Sequence, residues 1–243
     1  MINYFQRAFW FLLKPFKNPQ LFFDKKFYFR IYHFIFGEKF YSKLNFQWEK
    51  YPKRIDIIQS TINRKNYNTY LEIGCDKDLV FQKISINKKV GVDPISGGTI
   101  RDTSNNFFKF NKSKFDIIFI DGLHEYSQVK QDIKNSLNVL NDNGVIFLHD
   151  CMPMHFLYQA HPESHINFNG DVWKNIVEIR HETNLDTYVI YADHGIGMIL
   201  KRPNKKLLNL GIKNYKKMRF KDYFYNYKNY LNLIYSDELK NIF

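Results

Sequence analysis

The middle of the chain alternates two kinds of hydrophobic pattern. Apolar runs of strand length, each followed by a glycine or a polar residue, occupy residues 70–73, 89–92, 115–120 and 145–148. Segments of helical periodicity lie at 79–86, 104–110, 127–140 and 171–182. Strands that alternate with helices form a parallel sheet covered on both faces. Two later runs, 187–191 and 197–201, flank the turn Asp193-His194-Gly195 and predict an antiparallel hairpin.

The two ends of the chain differ from the middle in charge. Residues 1–50 carry nine Lys or Arg and three Asp or Glu, and residues 201–243 carry eleven and three, which gives net charges of +6 and +8. The stretch between them is near neutral, at −2. We predict an aromatic, basic helical extension over 1–52, a globular domain over 53–202 and a basic helical extension over 203–243. The first extension has the composition of a lid, a dimer contact or a helix at a membrane surface.

Composition narrows the class of protein. Hydrophobic residues make up 44% and charged residues 25% of the 243 positions, which is ordinary for a folded globular chain. The two cysteines, Cys75 and Cys151, are too few for a disulfide framework and lack the spacing of a zinc or redox site, so we expect a reducing compartment. No apolar stretch approaches the roughly 20 residues of a membrane span. We therefore expect a cytoplasmic protein that contacts, at most, the surface of the cytoplasmic membrane.

The end of the first predicted strand has the spacing of a nucleoside site, because ligands of parallel sheets bind outside the carboxyl ends of the strands. Glu72 and Gly74 begin a turn, and Asp93 follows Gly74 by nineteen residues, where an acid commonly binds ribose hydroxyls. Asp76 and Asp78 lie where the pyrophosphate of a dinucleotide would sit and would repel it. The cationic end of S-adenosylmethionine tolerates acids there, so we predict this cofactor. The alternative is that Glu72 and Asp93 only cap helices.

Two further strand ends carry acids. Adjacent strands lie about 4.8 Å apart, so neighbouring strands would place Asp121 and Asp150 where they could share a divalent cation such as Mg²⁺. His149 is either a third ligand or a residue that orients Asp150. Gly122 allows a turn that returns His124 to the same edge, where it is a candidate general base, since imidazole titrates near neutral pH. The alternative for His124 is a surface position without chemistry.

These motifs together resemble the class I S-adenosylmethionine-dependent methyltransferases. The likeness is to a branch with D-G-x-H-x-Y and H-D motifs, here residues 121–126 and 149–150, and it covers residues 53–201. Such enzymes have a Rossmann-like sheet of seven mostly parallel strands in the order 3-2-1-4-5-7-6, with helices on both faces and an antiparallel last hairpin. The resemblance implies this α/β fold, with the helical extensions added at both ends.

The resemblance also implies roles for particular residues. In metal-assisted sugar O-methyltransferases similar to this branch, the acid after the fourth strand and an acidic pair after the fifth bind Mg²⁺. A histidine three residues past the first acid is the base. Asp121, Asp150 and His124 match these positions, while His149 stands where the family has an acid.

We therefore predict an enzyme that methylates a hydroxyl of a sugar or a related small polar acceptor, as in surface glycan biosynthesis. The expected cofactor-binding residues are Glu72, Gly74, Asp93 and Asp121. Two later glycines of the family motif E-x-G-x-G-x-G are Asp76 and Asp78 here. The expected catalytic residues are His124 and Asp121, and the expected metal ligands are Asp121, His149 and Asp150.

Other interpretations of the same residues stay open. Asp171 and Trp173 either contact the acceptor or serve as a helix cap and a buried core residue. The basic ends would suit an RNA methyltransferase that grips phosphates, although no RNA-binding motif is present and we expect no nucleic-acid partner. A domain with a degenerate cofactor loop could also be a scaffold without activity. We expect a small-molecule or glycan acceptor, with a homodimer or a membrane contact formed by the ends.

Overall fold

The computed structural model describes residues 13–243, so the first twelve residues of the predicted N-terminal extension lie outside the described residues. Its centre is a seven-stranded sheet in the order β2-β1-β3-β4-β6-β5-β7, in which β6 alone runs antiparallel to its neighbours. The strands are β1 (Thr69–Ile73), β2 (Lys88–Val92), β3 (Phe115–Ile120), β4 (Leu140–Leu148), β5 (Leu185–Ile190), β6 (Ile196–Lys201) and β7 (Leu233–Ile234).

Eight α-helices lie within the described residues. They are α1 (Lys14–Lys17), α2 (Lys25–Phe36), α3 (Arg54–Lys65), α4 (Ser104–Phe110), α5 (Tyr126–Val139), α6 (Phe156–Gln159), α7 (Trp173–Ile179) and α8 (Phe220–Tyr230).

Side chains of each strand alternate between the two faces of the sheet, which gives two hydrophobic layers. On one face, Ile118 and Ile120 of β3 pack with residues of α4, α5, α7 and α8. On the other face, Ile117 and Phe119 pack with Ile57 and neighbouring residues of α3. Both faces of the inner strands are thus buried, which is why their sequences are continuous apolar runs.

The Rossmann-like α/β fold class is confirmed, and the two edges of the sheet show how this chain builds it. Next to β2, where the family's third strand would lie, there is only an isolated bridge between Val92 and Ile100. Gly97 and Gly98 precede that bridge with φ of +62° and +68°, which interrupts an extended strand. The seventh strand, β7, comes instead from the C-terminal part and pairs in parallel with β5 at the opposite edge.

One predicted helix is much shorter than expected. Residues 79–86 contain only a single 3-10 turn, Phe81–Lys83. The side-chain amine of Lys89 donates to the carbonyl oxygens of Phe81 at 2.7 Å and Ile84 at 2.9 Å. These carbonyls therefore face a lysine rather than the amides of a continuing helix.

The two basic ends of the chain meet in space. The Glu38 carboxylate accepts hydrogen bonds from the backbone amides of Phe220 and Lys221, which caps the start of α8. The ring of Phe40 lies 5.0 Å from that of Phe224. The division into a domain and two extensions remains a prediction, but the extensions pack against each other. Among the described residues, no helix combines the length and the apolar character that crossing a bilayer requires.

Candidate active site

Neighbouring strands end in a row at one edge of the sheet. Backbone hydrogen bonds continue one residue past the strands, from Asp121 N to Ile73 O at 2.8 Å and from His149 N to Ile120 O at 3.0 Å. Gly74, Asp121 and His149 therefore stand beside one another at the spacing of adjacent strands, about 4.8 Å. The neighbouring positions expected for the strands before Asp121 and His149 are confirmed.

A cleft of about 500 Å³ opens beside these strand ends. Its walls come from the turns after β1, β2 and β3, from the start of α4 and from the first two turns of α5. Ligand pockets have volumes of roughly 300–1,000 Å³, so the cleft is large enough for a nucleoside. Of the four residues predicted to bind the cofactor, three line it, namely Gly74, Asp93 and Asp121.

The turn after β1 has positive φ at Gly74 and also at two aspartates. Gly74 has φ of +88°, and a Cβ atom there would lie 2.4 Å from the carbonyl oxygen of Asp121. Asp76 and Asp78 also have positive φ, at 45° and 60°. Aspartate is one of the few residues other than glycine that adopts this conformation readily. Aspartates at these two positions are therefore compatible with the left-handed backbone of the turn.

Asp93 holds the turn together from the end of β2. Its carboxylate accepts hydrogen bonds from the backbone amides of Asp76 at 3.0 Å, Ile95 at 2.8 Å and Ser96 at 2.9 Å. Burial by itself would raise the pKa of Asp93, but these bonds lower it below its usual value. The carboxylate stays ionised at the cleft wall and can accept further hydrogen bonds from ribose hydroxyls.

Glu72 lies beneath the turn and is absent from the cleft lining. Its side chain is buried and accepts a hydrogen bond from the hydroxyl of Tyr70. Burial raises the pKa of Glu72 to about 8, so the carboxyl is largely protonated at neutral pH. Direct contact between Glu72 and the cofactor remains a prediction.

Two carboxylates and two imidazoles converge at the end of the cleft. His124 Nε2 lies 3.3 Å from Asp121 Oδ1, and His124 Nδ1 lies 3.4 Å from Asp150 Oδ2. His149 Nδ1 lies 3.1 Å from the same two carboxylate oxygens. Atoms of Asp121, His124 and Asp150 all lie within 4.8 Å of one another and could surround one cation. In that set His124 stands where the sequence led us to expect His149.

The surroundings of His149 explain this exchange. Its Nε2 atom lies 2.7 Å from a guanidinium nitrogen of Arg54 and 3.7 Å from Asp193 Oδ1. Burial works to lower the pKa of His149, but the carboxylates of Asp121 and Asp150 raise it well above its usual value. The protonated ring has no free lone pair for a metal. We infer that His149 organises the two carboxylates instead of binding the ion.

The carboxylates and imidazoles of the cluster shift each other's pKa values and so favour each other's charged forms. Burial works to raise the pKa of Asp121, but the adjacent imidazoles of His149 and His124 hold it well below its usual range. For His124, burial works to lower the pKa, but the carboxylates of Asp121 and Asp150 raise it above its usual value. The site therefore presents ionised carboxylates around an imidazole of increased basicity.

Asp171 and Trp173 lie outside the cleft. Asp171 is 5% exposed and its Oδ1 atom accepts a hydrogen bond from the backbone amide of Tyr126 at 2.7 Å, at the first residue of α5. Trp173 is fully buried and donates its indole N–H to Gln159. These contacts match the structural alternative, a helix cap with a buried tryptophan, although the helix that Asp171 caps is α5. A contact with the acceptor would require both residues to move.

Three residues of the site were not anticipated from the sequence. Arg54, at the start of α3, places its Nε atom 3.8 Å from Asp121 Oδ2. Asp193 accepts a hydrogen bond from the backbone amide of Arg54 at 2.9 Å, and Asn169 donates to Asp150 from the other side. Of these, only Asp193 belongs to a recognisable sequence pattern, the predicted hairpin turn. That pattern predicts the backbone conformation and not a role in the site.

A family model described as "Methyltransferase domain" matches residues 40–151. No curated protein gives a significant match to this sequence.

Several solved methyltransferases have a similar arrangement of secondary structure. A Podospora anserina methyltransferase bound to SAH is 15% identical, covers 63% of this chain and 81% of its own, and has a TM-score of 0.47. An O-methyltransferase from Bacillus cereus in complex with SAH is 11% identical, with 61% and 80% covered and a TM-score of 0.45. The MycE methyltransferase of the mycinamycin pathway, solved with Mg, SAH and mycinamycin VI, is 13% identical, with 61% and 49% covered and a TM-score of 0.42.

The family match includes β1 to β4 and the residues that follow each of these strands. Within that segment lie the left-handed turn after β1, Asp93 and the cleft that both of them line. Residues 40–151 thus match a methyltransferase domain in sequence, and they contain the whole lining of the candidate cofactor cleft.

Proposed function

We propose that this enzyme transfers the methyl group of S-adenosylmethionine to a hydroxyl oxygen of a sugar or a related small polar acceptor, with His124 as general base. One observation carries the proposal: Asp121 lines the cofactor cleft and also touches His124. The methyl donor and the base would then lie on two sides of one residue. An acceptor bound between them would have its hydroxyl close to both.

The protein must position the acceptor oxygen against the methyl group and supply a base for the hydroxyl proton. An alcohol is barely ionised at neutral pH, and its oxygen must approach the sulfonium methyl group in line. Orientation of two bound reactants can lower the barrier by ~7–11 kcal/mol, and a general base contributes ~10²- to 10⁴-fold in rate. In the proposed reaction His124 accepts the hydroxyl proton, and Asp121 and Asp150 hold the ring in place and stabilise the imidazolium that forms.

The donor set also fits a divalent cation. Asp121, His124 and Asp150 offer two carboxylates and an imidazole whose atoms lie within 4.8 Å of one another. Hard carboxylate oxygens are the ligands that Mg²⁺ prefers. We propose that the carboxylates of Asp121 and Asp150 hold such an ion and that His124, beside them, accepts the proton. A bound cation would polarise the acceptor hydroxyl and lower its pKa.

The surroundings of the cluster support a polar acceptor. Charged side chains stand around it, with Arg54 and Asp193 beside His149. Neighbouring hydroxyls of a sugar can exchange hydrogen bonds with such groups, whereas an apolar acceptor could not satisfy them. We also propose that the enzyme works in the cytoplasm, close to a membrane surface, where glycan precursors are lipid-linked. The support is α2, whose exposed apolar residues include Phe36 and Ile35, at 72% and 54% exposure.

The test is formation of S-adenosylhomocysteine by the purified protein with a panel of sugars, nucleotide sugars and single-stranded RNA. We expect turnover with a hydroxyl acceptor and a loss of about 100-fold or more in His124→Ala, because the base is removed. The control is His181→Ala, since His181 is an exposed histidine after α7. Turnover with RNA alone, or full activity of His124→Ala, would refute the proposal.

The metal has a separate test. Exhaustive EDTA treatment should abolish turnover, and added Mg²⁺ or Mn²⁺ should restore it. Asp150→Asn should weaken binding of Mn²⁺, as measured by its paramagnetic resonance signal, while Asp142→Asn, an exposed acid earlier in β4, should not. Turnover that survives EDTA would remove the metal from the mechanism and leave the role of His124 intact.

A further inference from the structure

A short segment, residues 168–171, crosses the site on the side of α5 and α7, and we call it the strap. The ring of Phe168 stacks on the ring of His124, with centroids 6.4 Å apart and planes 28° from parallel. Gly170 has φ of +63°, and a Cβ atom there would lie 1.8 Å from the carbonyl oxygen of His124. The strap is therefore pressed against both the ring and the backbone of His124.

Asp171 fixes the loop that carries His124. Its backbone amide donates to the carbonyl oxygen of His124 at 3.3 Å, and its Oδ1 atom accepts from the amide of Tyr126 at 2.7 Å. The other oxygen, Oδ2, lies 3.2 Å from Nζ of Lys174, itself 7% exposed. One buried aspartate thus holds the loop at two points on either side of Glu125.

Asn169 holds Asp150, the second carboxylate that contacts the His124 ring. Its side-chain amide donates to Oδ1 of Asp150, and the residue is 2% exposed. That bond leaves Oδ2 of Asp150 for the two imidazoles. The backbone amides of Asn169 and Gly170 both donate to the carbonyl oxygen of Tyr158, at 2.8 and 3.0 Å, which anchors the strap itself.

We infer that Asn169 and Asp171 are positioning residues, which set the His124 ring and the Asp150 carboxylate relative to one another. The inference rests on the proposed function in that His124 is the base. Neither residue lines the cofactor cleft. Loss of either one should therefore slow the chemical step and leave the cofactor affinity unchanged. If the two residues contributed only to overall stability, their loss would not slow the chemical step while leaving the cofactor affinity unchanged.

The experiment compares Asn169→Ala with a matched change at the other end of the same strands. Asn141, in β4, donates its side-chain amide to the carboxylate of Asp116 at 2.6 Å. Both substitutions remove one asparagine-to-aspartate hydrogen bond, but only one of them borders His124. We expect kcat to fall about 10- to 100-fold in Asn169→Ala, since small misplacements of a catalytic group cost up to about 10²-fold. Asn141→Ala should keep kcat, and both should keep the calorimetric Kd for S-adenosylmethionine.

Asp171 is tested by the pair Asp171→Ala and Asp171→Asn. The amide of asparagine retains an oxygen that can accept from Tyr126, so Asp171→Asn should recover part of the kcat lost in Asp171→Ala. If Asp171→Ala does not fold, because Lys174 is left buried without its carboxylate partner, Asn169→Ala still decides the inference. Equal kcat losses in Asn169→Ala and Asn141→Ala, or no loss in Asn169→Ala, would overturn it.

A second measurement works without an acceptor. The Cε1–H resonance of His124, assigned by its disappearance in His124→Ala, should shift in Asn169→Ala and stay in place in Asn141→Ala. If the wild-type protein methylates no hydroxyl, the proposed function fails, and this resonance still reports on the strap. An unchanged resonance in Asn169→Ala would refute the positioning role even if the proposed function holds.

Discussion

The close packing of the turn after β1 can be tested with two glycines that line the same cleft. They differ in how close an added Cβ atom would come to neighbouring atoms. A Cβ atom on Gly74 would lie 2.4 Å from the carbonyl oxygen of Asp121 and 2.5 Å from Cα of Gly122. The backbone there also has φ of +88°. On Gly122 the nearest atom would be Cγ2 of Ile73, at an ordinary contact distance of 3.5 Å.

The expected cost follows from these distances. A side chain in the left-handed region costs about 1–2 kcal/mol, and an extra methyl in a tightly packed place costs about 1–3 kcal/mol. Gly74→Ala should therefore lower the free energy of unfolding by about 2–5 kcal/mol in total. The contacts of Gly74 are backbone atoms of the neighbouring strand end, which cannot move aside as a flexible side chain would. Gly122→Ala should change stability little.

The assay is thermal unfolding of both variants without ligand, followed by calorimetry with S-adenosylmethionine. In a chain of this size each kcal/mol shifts Tm by about 2–4 °C, so the two variants should be clearly separated. Gly74→Ala should also bind the cofactor more weakly, because the displaced strand end carries Asp121. Equal Tm values for the two variants would show that the turn does not have the close packing described above.

Three more predictions concern residues around the cleft. Asp76 has positive φ, so Asp76→Gly should keep its Tm, whereas Asp76→Ala should lose about 1–2 kcal/mol of stability in urea unfolding. Burial raises the pKa of Glu72 to about 8 from its ordinary value of 4.5, so the native state binds this proton more tightly than the unfolded chain. The contribution of Glu72 to the free energy of unfolding should thus be largest below pH 4.5 and be lost as the pH rises through 8. Denaturant titrations across that range should show this contribution as the difference between the wild-type protein and Glu72→Gln. Arg54→Met should lower kcat about tenfold or more by releasing His149, while Arg64→Met, an exposed position near the end of the same helix, should leave kcat unchanged.

The strands and the acids at their ends were predictable from the sequence. The apolar runs that form β1, β3 and β4 are buried on both faces. Such strands are continuous apolar segments in the sequence, so their first and last residues are easy to recognise. Once the strands are parallel neighbours, the residues after them must meet at one edge of the sheet. The approach of Asp121 to Asp150, and the return of His124 to them, followed from this rule together with the resemblance to methyltransferases.

Only the tertiary structure decided which further groups complete the site. His149 contacts Arg54, which is 95 residues away in the chain and lies at the start of a helix. The strap reaches Asp150 and His124 from a loop whose sequence has no periodic pattern. Hydrophobic patterns record local conformation and burial, but they carry no information on which distant polar side chains come within hydrogen-bonding distance. For the same reason the sequence left two roles open for Asp171, an acceptor contact and a helix cap, whereas the folded chain shows that its carboxylate accepts a hydrogen bond from the first residue of α5.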